Sequence, residues 1–125
     1  MKKLLLFVSL LAIGFAVNAQ NVADDIIKVN TENHNLGKIK HNVPVSFSFD
    51  IKNISSKPVV VENTYASCGC TTPDKITEPI APGATVKLKV QFNAAAMGPI
   101  SKDVFIKLAG VEQPKSIHIS GEVVE

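Results

Sequence analysis

From residue 26 onward, apolar and polar residues alternate. Val45, Phe47, Phe49 and Ile51 take every second position, with Ser46, Ser48, Asp50 and Lys52 between them. Successive side chains of an extended strand point to opposite faces, so this run has one dry face and one wet face. The period of two returns at Val86, Leu88, Val90 and Phe92, set against Thr85, Lys87, Lys89 and Gln91. It returns again at Val104, Ile106 and Leu108, set against Asp103, Phe105 and Lys107. Shorter runs at 26–29, 59–61 and 117–120 complete a set of six or seven strands. Asn35-Leu36-Gly37, Ala81-Pro82-Gly83-Ala84, Met97-Gly98-Pro99 and Ala109-Gly110 punctuate them. No helical period long enough for a parallel crossover appears after residue 20, so the pattern predicts two packed antiparallel sheets.

The first twenty residues follow another rule. Lys2 and Lys3 precede an apolar stretch from Leu4 to Val17, and Val17-Asn18-Ala19 puts small residues where a signal peptidase reads them. This predicts a leader over 1–19 cleaved after Ala19. The apolar stretch is shorter than a membrane-spanning helix requires, and no cysteine near the cleavage point could accept a lipid. The expected product is exported to the periplasm or the cell exterior, with no transmembrane anchor. It begins with a flexible segment at 20–25 and continues as one domain over 26–125.

The chain has 125 residues, enough after cleavage for one compact core and too few for two. Of its 13 basic residues, all lysines, two lie in the leader, leaving 11 against 11 acidic residues. A near-zero balance without arginine argues against a nucleic-acid partner and gives no reason to expect an anionic membrane.

Candidate chemistry is confined to Cys68-Gly69-Cys70, the only cysteines in the chain, followed by Thr71, Thr72 and Pro73. In a straight strand two residues so spaced have Cα atoms about 7 Å apart, at the limit for a disulfide, and Gly69 allows the bend that would close it. Three uses fit the pair. It could be a structural disulfide or two thiols that fix a loop, supported by Gly69, Thr71 and Pro73. It could be a thiol redox element, since so tight a ring is more open to reduction than a long-range staple. It could hold a soft metal such as Cu(I), with Met97 as a third ligand. The spacing is not the C-x-x-C of thioredoxin-like catalysts, and two cysteines without a nearby histidine make an incomplete zinc site.

His34, His41 and His118 are dispersed and read as surface residues. No serine carries the local signature of a hydrolase nucleophile, no catalytic carboxylate pair is evident, and there is no phosphate-cradling glycine loop or calcium loop. The sequence therefore calls for no cofactor. Asn53-Ile54-Ser55 matches a glycosylation sequon, which carries little weight behind a bacterial leader.

Leu36-Gly37-Lys38-Ile39, the strand ending at Asn53, Ser67-Cys68-Gly69-Cys70-Thr71-Thr72-Pro73 and Pro79-Ile80-Ala81-Pro82-Gly83 together resemble a bacterial family catalogued as domain of unknown function 1573. The resemblance spans roughly 26–121. It implies an exported immunoglobulin-like β-sandwich of about seven strands, similar to domains of ciliary and centrosomal scaffolds and frequent in Bacteroidetes. One departure is His34-Asn35-Leu36-Gly37, where related sequences often place an aromatic residue beside the glycine, so the resemblance implies different packing at the first strand pair. The resemblance transfers no biochemistry to Cys68 and Cys70. The functional expectation is a non-enzymatic module that meets another envelope or extracellular protein through a strand edge or loops.

Overall fold

The computed structural model describes residues 22–125. The expected leader at 1–19 and its cleavage point lie outside them. Eight strands form two four-stranded sheets. Sheet I has the order β1 (Ile27–Val29), β3 (Val45–Asn53), β6 (Thr85–Phe92), β5 (Thr71–Pro73). Sheet II has the order β2 (Asn33–Lys40), β8 (Lys115–Val124), β7 (Gly98–Leu108), β4 (Val61–Ala66). The inward faces meet in one core, in which Phe49, Ile51, Leu88, Val90, Val104, Ile106 and Ile117 are fully buried. These are the apolar halves of the alternating runs, hidden where two amphipathic sheets stack.

One pairing departs from the all-antiparallel expectation, because β2 runs parallel to β8. After β1 the chain does not turn back. It bends at 30–32 and enters sheet II as β2. β2 was also hidden in the sequence, where 33–40 reads as turn-rich. A bulge between Asn35 and Lys38 explains this: Gly37 sits at φ +69°, and its N–H donates to Asn35 Oδ1 at 2.7 Å. The bulge throws the side chains out of step. Opposite it, Gly121 at φ +149° lies so close to the Gly37 carbonyl that a Cβ would fall 2.8 Å from that oxygen.

Further differences follow from pairing. Of the apolar run at 59–61, Val59 makes only an isolated bridge to Ile80, and the strand continues instead through Ala66. Ahead of β1, Ala23–Asp25 form a single 3-10 turn, and Ala23 is buried in the core.

Asn53 ties two turns together at the end of the sandwich where β3 finishes. It is completely buried. Its Nδ2 donates to the carbonyls of Lys57 (2.7 Å) and Ile80 (2.9 Å), while Oδ1 accepts from Ser55 N (2.9 Å) and Ser55 Oγ (2.6 Å). Its backbone exchanges bonds with Ala84 and Gly83. The Asn53-Ile54-Ser55 turn and the Pro79-Ile80-Ala81-Pro82-Gly83 turn are thus one hydrogen-bonded unit. With Nδ2 spent inside the fold, the sequon is not a glycan acceptor in the folded chain.

Candidate functional site

The cysteine loop lies at the opposite end. β4 is the edge of sheet II and β5 the edge of sheet I, and residues 67–70 carry the chain from one to the other. Cys68 and Cys70 are joined to each other, with Cα atoms 5.4 Å apart. The loop is pinned on both sides: Ser67 N donates to Asp103 O at 2.9 Å, Asp103 N to Ser67 Oγ at 3.0 Å, and Asn93 N to Cys70 O at 3.0 Å. Thr71 Oγ1 lies 3.9 Å from Cys68 Sγ and 3.7 Å from Cys70 Sγ. Thr71 and Pro73 are buried, Cys70 packs partly against the core, and Gly69 is exposed at the tip. The bonded sulfurs have no thiolate to offer a metal. Met97 is exposed in the segment before β7. Among the described residues no three His, Cys, Asp or Glu side chains gather as a metal site.

The histidines behave differently from surface residues. His34 faces inward from β2, stacked on Phe47 (ring centroids 5.1 Å) and edge-on to Phe49 (5.5 Å). His41 sets Nε2 3.1 Å from the Ala95 carbonyl. His118 is half-buried on the outer face of sheet II, with Nδ1 2.9 Å from Asp103 Oδ1 and Nε2 3.5 Å from Ser101 Oγ.

Ser101, His118 and Asp103 reproduce the order of a nucleophile, base and orienting carboxylate, yet they stand on an open sheet face. Strand N–H groups lie in the plane of the sheet, along the ladders, so they do not aim at a carbonyl placed above that face. The trio ties β7 to β8 through His118.

Beside it lies the feature most unlike a passive surface. Tyr65 of β4 and Phe105 of β7 are direct cross-strand partners on the same outer face. Their rings stack with centroids 5.0 Å apart, and Tyr65 is 40% exposed. Asn63, Lys107, Asp103 and Ser116 occupy neighbouring positions in the ladder. This pair was legible only as one polar-side phenylalanine and one tyrosine, because the register that joins them is not local.

The four sheet edges are each protected. β1 and β5 have three residues apiece. β2 is bulged. β4 carries a register shift between Val61 and Asn63, and Lys75 Nζ covers its edge, donating to Thr64 O and Asn63 Oδ1. Short strands, bulges and lysines are the devices that keep an edge from accepting a foreign strand.

Two four-stranded sheets stacked face to face around one core, with a Cys-Gly-Cys crossover between their edges, form an immunoglobulin-like β-sandwich. Residues 27–123 match the family described as Protein of unknown function (DUF1573), and the chain belongs to that family. A comparison by sequence with curated proteins found no match. Among solved structures the fold is similar to that of a protein of unknown function from Porphyromonas gingivalis W83, at TM-score 0.68 and 14% identity. That likeness covers 78% of this chain and 46% of the other, so this chain spans under half its length. It is similar to the ASH / PapD-like domain 7 of human CEP192, at TM-score 0.61 and 10% identity, covering 81% and 87%. It is also similar to 24% of the secreted serine protease VesC from Vibrio cholerae, at TM-score 0.63 and 11% identity, over 82% of this chain. At such identities the likeness is one of fold alone. Among the described residues no helix is long and apolar enough to cross a membrane.

Proposed function

We propose that the protein is an exported, non-enzymatic interaction module of the periplasm or cell exterior. It meets a protein partner through the outer face of sheet II. The observation that carries this reading is the stacked Tyr65–Phe105 pair, two aromatic rings on a solvent-facing sheet with hydrogen-bonding and charged residues around them. A central aromatic anchor with a polar rim is the usual build of a protein-binding patch. The protected edges favour contact through a face over strand addition. The disulfide corner beside Tyr65 fits a supporting role, holding the end of β4 against β7. Beyond the two cysteines themselves, no observation favours the thiol-redox or Cu(I) alternatives.

Site-specific photocrosslinking in the native compartment tests this. A photoreactive residue at 65 or 105 should capture a discrete partner, and one at Thr85, on sheet I, should not. Capture should persist in a Cys68→Ser/Cys70→Ser chain and be lost on Phe105→Ala. Capture from sheet I alone, or loss of capture with the cysteines in a chain that still folds, would overturn the reading.

A further inference from the structure

The opposite face of the molecule is cationic. Lys28 of β1, Lys52 of β3, and Lys87 and Lys89 of β6 all point outward from sheet I. Register sets them in rows: Lys28 is the direct partner of Lys52, Lys87 of Asp50, and Lys89 of Ser48. Successive outward rows are about 7 Å apart, so the four ammonium groups mark a stripe about 14 Å long. Among the described residues Lys87 alone of the four is paired, with Asp50 at 3.0 Å. Four lysines therefore face one carboxylate. The outer face of sheet II instead mixes Lys38, Lys40 and Lys107 with Asp103 and Glu122. Like charges set directly across a ladder are destabilising, so the Lys28–Lys52 pair has no role in holding the sheet.

Hydroxyl and amide groups fill the remaining outward positions, at Ser46, Ser48, Thr72, Thr85 and Gln91. Ser46, Phe47, Ser48, Lys87 and Lys89 border a shallow depression of about 290 Å³. Of the large exposed hydrophobic residues, Ile54 borders this face at one end: it lies two residues beyond Lys52, its N–H donates to Ile26 O beside β1, and it lines a hollow together with Lys28.

We infer that the outer face of sheet I is a binding surface for an acidic polysaccharide, lying along the Lys28–Lys52–Lys87–Lys89 stripe. Lysines meet the carboxylates of the chain, while serine, threonine and glutamine side chains exchange hydrogen bonds with its ring hydroxyls. The alternatives fit less well. Peripheral membrane binding usually adds a cluster of apolar side chains for insertion, and Ile54 at the end of the stripe is a single residue. Single-stranded nucleic acid uses exposed aromatic side chains under the bases, and the ring of Phe47, which borders the depression, is instead packed against His34 and Phe49. The inference stands on a different face and a different observation from the Tyr65–Phe105 reading.

The test is a backbone-amide NMR titration of the domain with an oligouronate derived from alginate, at ~50 mM salt and again at ~500 mM, where exposed charges are screened. Shifts should gather at residues 28, 46, 48, 52, 87 and 89 and fade at high salt. Lys52→Glu/Lys89→Glu should weaken binding by about tenfold or more. Lys38→Glu/Lys40→Glu on sheet II and Tyr65→Ala should leave it unchanged, which separates this proposal from the protein-partner reading. The wild-type shift map decides the question even if a reversal variant fails to fold. Absence of shifts, shifts confined to other faces, or binding through these lysines by phosphatidylglycerol vesicles or a DNA oligonucleotide without oligouronate binding would each overturn the inference.

Discussion

Replacing Asn53 by alanine tests the claim that this side chain welds two distant turns. The substitution deletes four hydrogen bonds from a fully buried position. Two of the groups left behind keep a partner: Ile80 O still accepts from Val59 N at 2.9 Å, and Lys57 O from Ser55 Oγ at 2.9 Å. The Ser55 amide loses its acceptor. At a net of about 1 kcal/mol per neutral bond, reduced for the surviving partners and increased for the stranded amide, the loss is about 3 kcal/mol. That is a large share of the roughly 5–15 kcal/mol that holds a domain of this size together. At 4–8 °C per kcal/mol it lowers Tm by about 12–24 °C. Asn53→Asp is the sharper test because it conserves shape. It turns the donor toward two carbonyls into a buried acceptor, so it should destabilise at least as much as alanine. Urea and thermal unfolding followed by circular dichroism read both. An aspartate variant within about 1 kcal/mol of the parent would refute the assignment, since the position would then need only volume.

Removing the Cys68–Cys70 bond by double serine substitution should cost only about 1.6 kcal/mol, because so short a loop restricts the unfolded chain little. A Tm drop of about 10 °C with the fold retained is the expected calorimetric result, and complete unfolding would show that the loop does more. Lys115 is buried, with Nζ donating to Asp24 Oδ1 at 2.5 Å and to Glu32 Oε1. Burial pulls its pKa down, but hydrogen bonds and charge from Asp24 and Glu32 outweigh this and hold it above its ordinary 10.5. A raised basic group contributes stability that is fully present below 10.5 and is lost as pH rises through the higher folded value. Lys115→Met should therefore remove a decline in Tm seen only in strong alkali, while costing no more than about 1–2 kcal/mol near neutrality because both carboxylates can rehydrate. An unchanged alkaline profile would count against the ion pairs. Gly121→Ala should lower Tm by displacing the Gly37 bulge, and an unaffected melting curve would place no steric demand there.

How much of this was legible in the sequence depends on the range of the interactions involved. Alternation exposed β3, β6 and the second half of β7, because each strand of a two-layer sandwich hides every second residue on its own account. It missed β2, where Gly37 breaks the period, and could not show that β2 joins β8 in parallel, since direction depends on where the bend at 30–32 leads. The Cys68-Gly69-Cys70 motif stood out by composition. That its sulfurs bond to each other at the corner between the two sheets depends on the fold around them. Asn53 read as part of a turn; only the arrival of Ile80, 27 residues away, makes it a buried weld.

Charge shows the division most sharply. The count of lysines and carboxylates follows from the sequence and sums to almost nothing once the expected leader is removed. Their distribution does not follow from it. Lys28, Lys52, Lys87 and Lys89 come from three separate strands and become one cationic face only when β1, β3 and β6 pair in their particular register. The same holds for Tyr65 and Phe105, 40 residues apart in the chain and ring on ring in the sheet. Local pattern determines which residues face water, because it depends only on the period of the strand. Which of those residues become neighbours is decided by strand order and register, set by contacts between segments far apart in the chain.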